Sequence, residues 1–288
     1  MERKEFLKKS LLGAAATSLG AVIINELKAN PLSAEQVGFN HIPHPKNIVM
    51  SNTIIHKAAT RGHANHGWLD SHHTFSFAAY YNPERMHFGV LRVLNDDIVH
   101  GGMGFGTHPH DNMEIISIPL SGDLEHKDSM GNTAVIKQGD VQIMSAGTGI
   151  QHSEYNRNKT SEVNFLQIWV FPKQRNIKPR YDQKTFATDD RMNKWQQIVS
   201  PEGSAEGIDI NQDAWFNMTR LSKGKSLEYN IQKQGNGVYA FILSGDVTIN
   251  GQALNKRDGI GIQDTDKITL TADSDTEVLL MDVPMAVS

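Results

Sequence analysis

The stretch from His108-Pro109-His110 to His152-Ser153-Glu154 decides the reading of this chain. Each end carries two donor residues spaced i, i+2, and in an extended segment residues two apart point to the same side. Each pair can thus present both side chains to one interior point, where three imidazoles and one carboxylate would converge. Between the pairs, the turn signals Ser121-Gly122-Asp123, Gly131-Asn132 and Gly139-Asp140 punctuate short apolar runs at Met113 to Leu120, Ala134 to Lys137 and Val141 to Met144. That punctuation predicts a small antiparallel β-barrel carrying a metal.

The chain has 13 histidines, and every one lies at or before His152, so metal chemistry belongs to the first half. With no cysteine there is no disulfide, thiolate ligand or cysteine nucleophile. Three neutral imidazoles and a carboxylate (His108, His110, His152 and Glu154) suit one divalent transition metal. Iron is the first expectation, and Ni, Cu, Mn, Co and Zn are accommodated by the same donors. A closed tetrahedral site would be structural zinc, whereas six-coordination leaves two positions for water, substrate or dioxygen. Structural zinc usually draws on cysteine and serves domains too small for a core, and neither condition holds here. Glu154 is either a plain fourth ligand or a general base towards a substrate hydroxyl.

Working outward, Met1 to Lys9 is basic and Ser10 to Ile24 carries no charge. This is signal-peptide architecture, too short for a comfortable bilayer span, and it marks residues 1–34 as a leader that exports the protein to the periplasm or stays as an anchor if uncleaved. Arg3-Lys4-Glu5-Phe6-Leu7-Lys8 resembles a twin-arginine signal with Lys4 at the second arginine position. The formal charge of -4, without a basic block beyond the N-terminus, excludes a nucleic-acid partner.

From Asn52 onward the pattern predicts strands. Met86 to Leu94 reads as one, bounded by turn chemistry at Asn82-Pro83 and Asn95-Asp96. The glycines of Gly101 to Gly106 precede a proline rather than a helix, so they are read as letting backbone pass close to the metal pocket rather than cradling phosphate. Glu162 to Phe171 reads as a buried strand closing the first barrel. Pro172 to Gly207 reads as a connector with a short helix around Arg191 to Val199.

Leu120-Ser121-Gly122-Asp123 recurs as Leu243-Ser244-Gly245-Asp246, which predicts a second barrel of the same design without a site. His63, His66, His72 and His73 crowd one segment, but their spacings do not repeat and turn formers surround them, so they are read as lining the pocket mouth or supporting the ligands rather than as a second metal site. Glu125-His126-Lys127-Asp128 is read as a solvent-facing strand edge, and His126 as no ligand.

Longer motifs add to this. Arg61-Gly62-His63 with His66-Gly67-Trp68-Leu69-Asp70, His73-Thr74-Phe75-Ser76-Phe77 before Tyr81, His108-Pro109-His110, Leu124 to Ser129 with Gly131-Asn132, and Gly149-Ile150 to Glu154 together resemble the pirin family. These are bicupin proteins that include bacterial quercetin 2,3-dioxygenases. The resemblance implies an all-β fold of two tandem cupin domains with little helix: a metal-binding N-terminal cupin over residues 45–172, and a C-terminal cupin over residues 173–288 that lacks ligands. It places the family's three histidines and one glutamate on His108, His110, His152 and Glu154. It also implies an oxidoreductase that uses O2 to open the central ring of a flavonol-like polyphenol with release of carbon monoxide, with Glu154 as base. The family's other face is a non-enzymatic, redox-sensing metal protein acting through a partner. Where relatives commonly continue with arginine and an aromatic-containing stretch, this chain has Asp111-Asn112-Met113, which removes charge and ring bulk beside the site.

Overall fold

The computed structural model describes residues 52–204 and 206–287. The leader expected over residues 1–34 and the domain start at residue 45 lie outside them. The first part of the chain supplies β1 (Asn52–His56), β2 (Gly62–Asn65), β3 (Leu69–His73), β4 (Leu91–Val99), β5 (Gly104–His110), β6 (Glu114–Ser121), β7 (Leu124–Asp128), β8 (Thr133–Ile136), β9 (Asp140–Ser145), β10 (Ile150–Asn156), β11 (Val163–Val170) and β12 (Arg180–Thr185). The second supplies β13 (Gln196–Pro201), β14 (Ile208–Ile210), β15 (Trp215–Leu221), β16 (Ser226–Asn230), β17 (Asn236–Ser244), β18 (Val247–Ile249), β19 (Gln252–Leu254), β20 (Gly259–Gln263), β21 (Lys267–Ala272) and β22 (Thr276–Pro284). Among the described residues, helix is confined to two 3-10 turns, Ala58–Thr60 and Thr188–Arg191.

Each half pairs a seven-stranded sheet with a four-stranded one: β12-β9-β6-β11-β4-β3-β2 with β5-β10-β7-β8, then β1-β20-β17-β22-β15-β13-β14 with β16-β21-β18-β19. This is the expected pair of tandem cupin barrels. The large sheets share one core, in which Ile116, Ile118, Leu166 and Ile168 belong with Phe216, Met218, Phe241, Leu279 and Met281. Burying each such side chain contributes about 1.5–3 kcal/mol. Period-two alternation turns the opposite face of each large sheet into its own barrel.

Sheet membership does not follow chain order. β1 pairs with β20 in the second sheet. β12, from the stretch read as a connector, pairs with β9 at the edge of the first. β1 thus crosses to the sheet of the second half, while β12 extends the sheet of the first.

Two local expectations are corrected. The strand placed at Met86 to Leu94 is instead Leu91–Val99, and Asn95-Asp96 lies inside it. Tertiary partners override the turn chemistry: Asp96 is ion-paired to Arg257 at 2.8 Å and to Arg61 at 3.3 Å, and Asn164 donates to it. Burial alone would raise the Asp96 carboxyl, but these partners hold it below the usual carboxylate range. The helix expected over Arg191 to Val199 is a 3-10 turn ending at Arg191 followed by β13, which has partners on both sides in β14 and β15.

The repeated Leu-Ser-Gly-Asp marks the same structure twice. The β6/β11 ladder skips Leu120 and the β17/β22 ladder skips Leu243, so each leucine is a bulge before the turn. Gly122 and Gly245 follow at φ 75° and 74°, and a Cβ on Gly245 would lie 2.2 Å from the Asp275 carbonyl oxygen. That conformation and that closeness both require glycine.

Candidate metal centre

β5 and β10 are antiparallel neighbours, and their register sets His152 directly opposite His108 and Ile150 opposite His110. One extra residue in β5 then shifts the pairing, so that Glu154 stands opposite Phe105. The bulge bends β5 over the barrel mouth, and the His108 ring is fixed by a 2.8 Å contact of Nδ1 with the Gly106 carbonyl oxygen. Because a carbonyl only accepts, Nδ1 carries the proton and Nε2 keeps its lone pair. The glycine expectation holds at Gly104, where a Cβ would come within 2.3 Å of the Glu154 carbonyl oxygen.

The three imidazoles converge, with ring centroids 4.9 Å apart for His108 and His110, 4.4 Å for His108 and His152, and 4.9 Å for His110 and His152. Their donor atoms form one group within 4.8 Å of one another. Glu154 enters through His152, in a second group that also contains His126. All of these residues are buried. The Glu154 carboxylate is held from two sides: Ser117 Oγ donates to Oε1 at 2.9 Å and Gln167 Nε2 donates to Oε2 at 2.8 Å. Burial pushes the His110 imidazolium down to about 3, helped by His108, and lowers His152 likewise. Both rings are thus neutral, the form that binds a metal.

His126 corrects the sequence reading. It is fully buried in β7, which has partners on both sides in β10 and β8 and is no edge. Glu154 pairs with His126 and His152 with Asp128, so Leu124, His126 and Asp128 all point inward while Glu125 and Lys127 point out. Extending the alternation back to apolar Leu124 was the available signal. His126 Nε2 lies 3.2 Å from Asp128 Oδ2, and His126 Nδ1 lies 3.5 Å from His152 Nδ1. With Nε2–H given to the carboxylate, His126 Nδ1 is an acceptor that holds the proton of His152 on Nδ1. The lone pair of His152 Nε2 is then free, and that atom is buried without a hydrogen-bond partner. An orphaned buried nitrogen at the meeting point of three imidazoles is what a metal would satisfy. Burial alone would raise the Asp128 carboxyl, but hydrogen bonds led by Asn132 bring it below its ordinary value. The Tyr181 ring of β12 packs against His126 with centroids 4.8 Å apart and planes inclined by 33°, so this edge strand supports the chain of hydrogen bonds.

The opposite wall is also polar and was missed. His73 Nε2 meets Ser71 Oγ at 2.8 Å, and Ser71 donates to buried Asp97. Burial pushes the Asp97 carboxyl up to about 7 against that hydrogen bond. Phe77, Phe105 and Trp169 complete the lining. The space between them is about 30 Å³, room for about one water. At the rim, Asp111 is exposed and Asn112 takes φ 45°, its Oδ1 accepting from the Asn176 backbone at 2.7 Å. The departure from the usual pirin stretch is thus a short tethered turn.

Comparison with known proteins agrees with this architecture. Residues 54–170 match the family model Pirin, and residues 197–283 match the Quercetinase C-terminal cupin domain. A quercetin 2,3-dioxygenase of Escherichia coli is 46% identical over 230 residues, 80% of this chain and 98% of that protein. A pirin-like protein of Caulobacter vibrioides is 41% identical, covering 77% of this chain and 95% of its own length. The crystal structure of the bacterial pirin YhhW from Escherichia coli in complex with nickel(II) superposes with a TM-score of 0.77 at 45% identity, over 82% of this chain and all of that one. With two cupin barrels, a buried histidine cluster in the first and relatives matched along nearly their whole length, the chain belongs to the pirin family.

Proposed function

We propose that the protein is a metal-dependent dioxygenase of the pirin type that cleaves a flavonol-like polyphenol with O2, using His108, His110, His152 and Glu154 to hold one divalent transition ion. The observation that carries this reading is the meeting of three buried imidazoles beside a tethered carboxylate, with His152 Nε2 buried and unpartnered. The names of the Escherichia coli relatives support the substrate class, and the nickel(II) complex of a relative supports nickel as one ion the site takes; iron rests on the donor set alone.

When bound, the metal would supply positive charge that stabilises a deprotonated substrate hydroxyl and hold the two reactants together. Glu154 is the base for that hydroxyl, and its two hydrogen bonds from Ser117 and Gln167 fix where it waits. Asp128 and His126 hold the His152 tautomer. Phe77, Phe105 and Trp169 exclude water and offer faces to an aromatic substrate. In the overall reaction both oxygen atoms of O2 enter the opened product, and one ring carbon leaves as carbon monoxide.

The 30 Å³ space falls far short of the roughly 300 Å³ of a small-molecule site. A flavonol would therefore need the pocket to widen, and Phe77 and Phe105 are among the side chains that line it. The basic and then apolar N-terminus supports, by its sequence alone, a reaction outside the cytoplasm.

The test is oxygen uptake and carbon monoxide release by the iron- and nickel-loaded protein over a panel of flavonols and simpler phenols. Uptake confined to compounds with a hydroxyl beside a ring carbonyl supports the reading. Bound metal with no turnover of any panel member would contradict it and favour a metal-sensing role.

A further inference from the structure

The hairpin of β2 and β3 turns one face towards the barrel and the other outward. Leu69, Ser71 and His73 point in; Asp70 and His72 point out. The register sets His63 directly opposite His72 and Asn65 opposite Asp70, so two imidazoles, a carboxylate and a carboxamide form a square on the outer face. The two rings stack with centroids 4.5 Å apart and planes inclined by 20°. Both then aim a nitrogen at the same oxygen: His63 Nε2 lies 2.8 Å from Asp70 Oδ1, and His72 Nδ1 lies 3.5 Å from it. The other oxygen, Oδ2, receives a 3.3 Å hydrogen bond from Asn65, whose own Oδ1 accepts from the Gly67 backbone. The carboxylate is thereby oriented by the turn of its own hairpin.

We propose that His63, Asp70 and His72 form a second metal site, separate from the barrel centre, that takes a borderline divalent ion such as Zn(II). The three donor atoms lie within 4.8 Å of one another without rearrangement. Two imidazoles and one carboxylate are the donor set such ions prefer over Mg(II) or Ca(II). His72 is held below its usual range by burial, with the charges of Arg61 and His63 acting in the same sense. Arg61 does not compete for Asp70, because its guanidinium is paired with Asp96.

The side chains of His63 and His72 are 51% and 36% exposed, so the site is open to solvent and three protein ligands leave a position for water. It goes beyond the dioxygenase reading and does not depend on it. Bound metal would clamp β2 to β3, the strand that carries Ser71 and His73 on its other face, and protect the hairpin from local opening.

The test is equilibrium dialysis of the purified protein against Zn(II), followed by elemental analysis, with the His63→Ala, His72→Ala and Asp70→Asn variants alongside. The expected result is two ions per chain in the parent and one in each variant. A His108→Ala/His110→Ala variant should keep the surface ion. Folding of that last variant is not required for the conclusion, because the surface substitutions remove solvent-facing groups and the parent serves as their reference. One ion in the parent that survives in all three surface variants would overturn the proposal. One ion that is lost in those variants would support it while contradicting the barrel site, so the two failures are distinguishable.

Discussion

The two barrels share a ladder, a bulge and a turn, and differ in what fills them. Aligning Leu120-Ser121-Gly122-Asp123 on Leu243-Ser244-Gly245-Asp246 and following the strand pairings outward gives matched interior positions. Ser117 corresponds to Ala240 and its neighbour Gln167 to Leu280. His126 corresponds to Ile249, Glu154 to Leu270, His152 to Ile268 and His108 to Tyr229. Every member of the second set belongs to one cluster around Val238, Ile242 and Leu254, and all are aliphatic except Tyr229, whose hydroxyl donates to buried Asp282. The second barrel therefore shows what this scaffold does when it is asked only to fold, and the first shows how few interior positions must change to gather polar groups. Those groups come as a connected set, because a buried polar atom without a partner is costly.

The comparison can be broken from the apolar side. Leu270→Glu places a carboxylate where Glu154 stands, but with Ala240 and Leu280 in place of its two donors. Such an uncompensated buried charge is expected to cost about 3–5 kcal/mol, read as a lower denaturant midpoint. A stability within error of the parent would show that the Ser117 and Gln167 hydrogen bonds are dispensable to burying the charge.

It can be sharpened from the polar side. Ser117→Ala, Gln167→Leu and His126→Ile each convert the first barrel to the residue of the second. Each should leave the fold intact and weaken metal binding by about 10–100-fold, as loss of groups that orient ligands does. Titration with Ni(II) against a competing chelator would read this, and unchanged affinity in all three would remove their supporting role.

A smaller effect concerns Asp97, which pairs with Ser71 and has no carboxylate counterpart in the aliphatic cluster. Its folded value is raised to about 7 from 3.8, so between those values the folded state holds a proton that the unfolded chain has released. Its contribution to stability is thus fully present below about pH 4 and is lost as pH rises through about 7. The metal-free protein should lose up to about 1.4 kcal/mol per pH unit across that window, and Asp97→Asn should flatten the slope. Equal slopes in the two proteins would contradict it.

Much of this was legible in the sequence because the deciding features are local. The i, i+2 donor pairs and the Gly-Asp turns need only a strand's period and a glycine's freedom. What was not legible depends on partners far along the chain. Asn95-Asp96 carries turn chemistry and becomes strand because Arg61, Arg257 and Asn164 meet it there. β1 crosses to the second half's sheet and β12 turns the expected connector into an edge strand of the first, because each finds its open sheet edge in a distant segment. The sequence hid His126 because Glu125 and Lys127 beside it are charged, although they point the other way.

The most direct measurement is metal content and quercetin-dependent oxygen uptake in three proteins: the parent, His108→Ala and Leu270→Ala. The account predicts that His108→Ala loses the barrel ion and at least about 100-fold in turnover, no less than the cost of losing a supporting group. It predicts that Leu270→Ala keeps both while losing about 2–5 kcal/mol of stability to the cavity. An unchanged metal content and turnover in His108→Ala would contradict it.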